Sequence, residues 1–179
     1  MIDIKLLPPR AMVDTNVFMR GVLGDRPHDP DSPLCKAFCD AMLSNGRRIF
    51  VAAPTLAEIT RHQGQRVPRY QGIVVVPFDD RAAELLGLNL PMAKLHQSKA
   101  TSGASLTYLK YDAMIMACAL RSGAPVFVTT DTDHHPLARA TGIQIEHPRA
   151  YKAAQMTLEA LLQHATMTGL SPAKQPPTK

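Results

Sequence analysis

Ala11 to Val17 read A-M-V-D-T-N-V. Three apolar residues end at an acid, and the run from Asn16 to Leu23 suits a helix with Asp14 or Thr15 near its cap. The order strand, acid, helix decides the fold class if it recurs along the chain. It recurs at Arg48 to Ala53 (R-I-F-V-A-A), which predicts a buried strand. Pro54 then suits a helix start, and Glu58 sits one turn into that helix. Gly72 to Phe78 is β-rich, and Asp79 opens a helix with Ala82, Ala83, Leu85 and Leu86 on its apolar side. Asp112 to Leu120 (D-A-M-I-M-A-C-A-L) is apolar nearly all round after its first residue, which predicts a buried central helix with a carboxylate at its mouth. Gly123 closes it, Pro125 to Thr129 is a strand, and Asp131 stands just past its end.

Between these units, Gly24 to Pro33 (G-D-R-P-H-D-P-D-S-P) is packed with turn formers and predicts an exposed loop. A helix follows, with Ser32 as N-cap, Pro33 at its first position and Leu34, Phe38 and Met42 spaced four apart. Asn89 to Thr107 has weak periodicity and reads as partly helical or mobile. Further on come a short helix at Leu137 to Thr141, a short strand at Ile143 to Ile145 and an amphipathic helix at Arg149 to Gln163. Alternating strands and helices predict an α/β fold of three layers, α/β/α, around a mainly parallel sheet. Sites in such sheets collect at the carboxyl ends of strands, where Asp14 and Asp131 stand with Glu58 a few residues beyond. The expected organisation is one domain over residues 1–150, a helix over 151–170 packed on it, and a disordered proline-rich tail over 171–179.

Bulk composition narrows the function classes. A formal charge of +5 with 15 acidic residues retained is not that of a polybasic coat for nucleic acid. The three cysteines indicate no disulfide framework, and Cys35 and Cys39 with His134 and His135 lack the matched spacing of a structural zinc site. Nine aromatic residues are too few and too scattered for a base-stacking platform. No segment approaches the ~20 apolar residues that span a bilayer, and the first ten residues lack a secretory apolar stretch. The expectation is a cytoplasmic protein without a membrane partner.

The separated acids carry the chemistry. Clustered carboxylates repel one another, and a hard divalent cation relieves that cost. Mg²⁺ held by two or three carboxylates with open positions is a site for phosphodiester hydrolysis, with no covalent nucleophile needed. V-D-T-N-V at Val13 to Val17 resembles the first motif of PIN domains. Three further segments agree in order: P-T-L-A-E at Pro54 to Glu58, K-Y-D-A-M-I-M-A-C-A-L at Lys110 to Leu120, and V-T-T-D-T-D at Val128 to Asp133. The resemblance as a whole covers roughly Met12 to Pro148.

That resemblance implies a ribonuclease with Mg²⁺ or Mn²⁺ as cofactor. It places Asp14, Glu58, Asp112 and Asp131 at the catalytic site, with Asp14, Asp112, Asp131 and the auxiliary Asp133 as metal ligands. Asn16 and Thr15 would shape the first turn, Thr129 or Thr130 would hydrogen-bond a ligand or a phosphate, and Lys110 and Arg61 would contact substrate. Arg61, His62, Arg66 and Arg69 otherwise read as a solvated face. The chain is similar to VapC-type toxins, which implies an RNA substrate, a homodimer and a small antitoxin partner. Two other readings stand beside it: an RNA-processing PIN nuclease outside any toxin–antitoxin pair, and an inactive PIN-like RNA-binding module. A haloacid-dehalogenase-like phosphatase would want an acid where Asn16 stands.

Overall fold

In the computed structural model, residues 1–64, 66–90, 93, 106–131, 137 and 141–153 are described. Five strands form one sheet: β1 (Arg10–Val13), β2 (Arg48–Ala52), β3 (Ile73–Val76), β4 (Val126–Val128) and β5 (Gln144–Glu146). Their order across the sheet is β3-β2-β1-β4-β5, and every pairing is parallel. The helices are α1 (Thr15–Gly21), α2 (Ser32–Ser44), α3 (Ala53–Gln63), α4 (Asp80–Asn89) and α5 (Leu106–Ser122). The α/β class and parallel sheet expected from the sequence are therefore present.

Alternation along the strands builds the two faces of the sheet. Ala11 and Val13, Ile49 and Val51, and Val126 and Val128 point to one side, where they pack with Val17 and Phe18 of α1 and Phe38 and Met42 of α2. Met12, Phe50, Ala52 and Phe127 point to the other, against Ala113, Met116 and Ala119 of α5. A one-residue slip in β1 would exchange these sets, so the register is fixed by burial on both faces. Fully burying a side chain of this kind stabilises by roughly 1.5–3 kcal/mol.

Helix boundaries differ from the sequence expectation in ways that matter. α5 begins at Leu106, six residues before Asp112, so Asp112 lies inside the helix and does not cap it. The stretch just before it, L-T-Y-L-K-Y, holds no glycine or proline to stop a helix, and the helix extends backward through it. α2 takes Asp31 as its N-cap, while the Ser32 hydroxyl donates to the Arg26 carbonyl at 2.6 Å. Ala83 is exposed, and Ala82 is the buried alanine of α4, since its neighbour points about 100° away round the helix. Met114, within the apolar run read as a buried helix, is half-buried. Pro148–Tyr151 is a single 3-10 turn. The terminal helix expected beyond it, the polar tail and most of the Leu137–Thr141 helix lie outside the described residues. Among the described residues no helix is long and apolar enough to cross a membrane.

From β1 the chain builds outward to β2 and β3 on one side, then returns to lay β4 and β5 on the other. β1 and β4 are neighbours at this reversal, and the crevice at their carboxyl ends is where open parallel sheets gather ligands.

Candidate active site

Two strand ends and three helices meet at that crevice. Asp14 follows β1 directly and is buried, with 1% of its surface exposed. Its two carboxylate oxygens have separate tasks. Oδ1 accepts from the Val17 N–H at 2.6 Å and caps α1, while Oδ2 accepts from the hydroxyl of Thr129, at the end of β4. The capping reading of Asp14 and its place at the crevice thus hold together. Thr129 is also buried, and its hydroxyl accepts from the Asp131 N–H at 2.9 Å, so one side chain ties the end of β1 to the turn that carries Asp131.

Glu58 arrives from α3. Thr15, the first residue of α1, donates its hydroxyl to Glu58 Oε2 at 2.7 Å. Asp112 comes from α5, one turn before Ile115. Asp14, Thr15, Asn16, Met19, Arg26, Glu58, His62, Asp112, Ile115 and Asp131 line one open cavity of about 390 Å³. Four acids separated by up to 117 positions in sequence therefore share one cavity, which has two apolar residues in its wall.

Other residues singled out by sequence fall elsewhere. Lys110 is exposed and does not line the cavity. It precedes Asp112 by two positions, which on a helix is about 200° away. Arg61 is also off the cavity and donates to the Tyr111 hydroxyl at 3.0 Å. Its neighbour His62, four residues after Glu58 and so on the same helical face, lines the cavity instead. Thr130 accepts from Arg20 Nη1 at 2.8 Å. Asp133 lies outside the described residues. Arg26 lines the cavity without having been singled out; it belongs to an irregular loop, where no periodicity marks a facing side.

Hard oxygen donors dominate the lining, with four carboxylates, the Thr15 hydroxyl and the Asn16 amide beside a single imidazole, that of His62. Such a set fits Mg²⁺ or Mn²⁺ and not a thiophilic metal. Among the described residues no three His, Cys, Asp or Glu side chains stand close enough to make a finished ligand cluster. Mg²⁺ tolerates this, because it keeps several waters and takes only one or two carboxylates directly. The three thiols are free and buried; burial pushes Cys35 up to about 12 and Cys118 up to about 11, so both stay protonated near neutral pH.

A sequence model of the PIN domain matches residues 11–140. No curated protein matches the chain. Among solved structures, VapBC2 from Rickettsia felis bound to a DNA fragment from its promoter is similar over 77% of this chain and 98% of that one, with 14% identity and a TM-score of 0.49. FitAB bound to an IR36 DNA fragment is similar over 81% and 99%, with 18% identity and a TM-score of 0.49. DNA-bound VapBC from Salmonella typhimurium is similar over 78% and 98%, with 20% identity and a TM-score of 0.46.

Proposed function

The chain belongs to the PIN domain family, whose general activity is nuclease hydrolysis, and on that premise we propose that it is a Mg²⁺- or Mn²⁺-dependent endoribonuclease. The observation that carries the proposal is the convergence of Asp14, Glu58, Asp112 and Asp131 on one cavity at the reversal of strand order. Left without a cation, four carboxylates in one cavity repel each other and bind a polyanion poorly. With one, the same cluster becomes a place for a phosphodiester.

Asp14, Asp112 and Asp131 would hold the metal, directly or through water, and Asp133 would assist. The bound cation supplies two things: it polarises a phosphoryl oxygen, and it lowers the pKa of a bound water. The protein's own groups do the rest. Thr129 fixes the Asp14 carboxylate by its hydroxyl and the Asp131 backbone by its oxygen, so that the two acids move as a unit. Thr15 holds one oxygen of Glu58, and the second would help to orient an attacking water. Met19 and Ile115 give the open cavity its apolar wall.

Resemblance of the motif order to VapC-type toxins extends the proposal to a cytoplasmic toxin of a type II pair. In that role the chain would act as a homodimer and be silenced by an antitoxin over the acidic cavity. The test of the enzyme claim is cleavage of single-stranded RNA by purified protein with Mg²⁺ or Mn²⁺ and with EDTA, beside Asp14→Asn and Asp112→Asn. Metal-dependent cleavage that both variants lose by 100-fold or more, on the order expected for removing a group that stabilises developing charge, supports it. Equal activity in wild type and variants ends it. Suppression of cleavage by the product of an adjacent gene is the corresponding test of the toxin role.

A further inference from the structure

Arg26 is a cation standing in an acidic cavity with its backbone held and its side chain not. Its φ of 52° is a left-handed conformation that arginine seldom adopts. Two hydrogen bonds converge on its carbonyl, from the Asp29 N–H at 3.0 Å and the Ser32 hydroxyl at 2.6 Å. The loop that carries it is strapped to the catalytic side of the sheet. The Asp29 carboxylate accepts from Arg20 Nη2 at 2.8 Å, and Arg20 Nη1 donates to Thr130 at 2.8 Å, one residue before Asp131.

The guanidinium is different. It is 56% exposed, its Nε is 3.8 Å from Asp25, and no hydrogen bond holds it among the described residues. Arg61, Arg121 and Arg149 are committed to Tyr111, Asp79 and Asp31, and of the described arginines Arg26 alone lines the acidic cavity. A strained, anchored backbone that delivers a guanidinium held only by a long, exposed ion pair to Asp25 beside four acids places a planar fork of donors where an anion would have to lie.

We propose that Arg26 is a phosphate-binding residue of this site, gripping the non-bridging oxygens of a nucleotide next to the one held at the acids. The inference rests on the ribonuclease reading and deepens it: the acids take the reacting phosphate through a cation, and Arg26 takes a neighbouring one directly. A single-stranded RNA backbone is the chemistry that fits, since its flexible phosphates can reach both places.

The test is steady-state cleavage of a labelled single-stranded RNA across a series of KCl concentrations, with wild type, Arg26→Gln, Arg26→Lys and Lys36→Gln. Lys36 is an exposed residue of α2 paired with Asp40, and its loss controls for bulk charge. The expected result for Arg26→Gln is a KM about tenfold higher at low salt, with kcat within about twofold, as loss of one charge-assisted contact requires. The dependence of log(1/KM) on log salt becomes shallower by about 0.7, the share of one phosphate on a single strand. Arg26→Lys keeps that slope, and Lys36→Gln leaves KM and slope unchanged. An unchanged KM and slope in Arg26→Gln overturns the proposal, as does a fall in kcat at unchanged slope, which is what a merely structural loop residue would give. If wild type fails to cleave, the ribonuclease reading falls on its own account. Fluorescence anisotropy of the same RNA then reads the slope: shallower in Arg26→Gln supports the contact, and equal to wild type overturns it.

Discussion

Replacing Thr129 by valine removes one hydroxyl and almost no volume, so its cost isolates the hydrogen bonds that join β1 to the Asp131 turn. Thr129 is 2% exposed and Asp14 1%, so water cannot replace what is lost at that carboxylate. A hydrogen bond to a charged group contributes about 1.5–3 kcal/mol, and the Asp131 N–H, which also loses its acceptor, sits in a half-exposed turn where water can serve it. The loss should therefore come mainly from Asp14 and amount to about 2–3 kcal/mol. For a domain of this size that is a fall of roughly 4–12 °C in Tm. The cap on α1 survives, because Val17 bonds the other carboxylate oxygen. The assay is urea denaturation at pH 7 in EDTA, which removes any stabilisation by bound metal. Thr129→Ser, which keeps the hydroxyl, should remain within about 1 kcal/mol of wild type. A valine variant within about 0.5 kcal/mol of wild type would refute the reasoning, for the strut would then be carrying nothing.

Three other outcomes are expected. Asp112→Asn removes one of four carboxylates that line the cavity, so RNA cleavage should be lost while its stability in EDTA, by urea denaturation, stays within about 1 kcal/mol of wild type; a larger fall would show that Asp112 is held for stability. Gly21→Ala places a Cβ 2.5 Å from Cys39 Sγ and 2.8 Å from the Cys35 carbonyl, where α1 crosses α2. It should cost about 1–3 kcal/mol by thermal denaturation, be only partly relieved by adding Cys39→Ala, and not raise Tm. Asp79 caps α4 through the Ala82 N–H and pairs with Arg121 at 2.6 Å, and the Arg121 hydrogen bonds hold its carboxyl below the usual range. A depressed folded pKa stabilises above the unfolded value and is lost as pH falls through the folded one. The midpoint gap between wild type and Asp79→Ala should thus be full at pH 7 and shrink below about pH 4; a constant gap down to pH 2 would contradict it.

The strands that position the site were legible because each is a short apolar run bounded by turn formers or an acid. Met12 and Phe127 sit on one face and Val13 and Val128 on the other, as the two-residue period requires. Asp14 could be read both as cap and as site residue from V-D-T-N-V, and it is positioned for both. What sequence could not give was direction within a helix whose start was misjudged. Asp112 read as the mouth of a helix because the apolar run begins there, yet the backbone is helical from Leu106. Lys110 and Arg61 looked close to acids along the chain, but Lys110, two residues from Asp112, points away round the helix, and Arg61 is drawn off by the Tyr111 hydroxyl, while His62, a full turn from Glu58, lines the cavity. Arg26 left no signal, because the place of a loop side chain is decided by tertiary hydrogen bonds. Those from Asp29 and Ser32 to its carbonyl have no period to detect.

The claim on which the rest depends is that the four acids serve a divalent cation. Anomalous diffraction from crystals soaked in Mn²⁺ tests it most directly. The account predicts a peak within the cavity between Asp14, Asp112 and Asp131, absent from crystals of Asp112→Asn soaked in the same way. Manganese bound elsewhere on the molecule, with that cavity empty at saturating concentration, would contradict it.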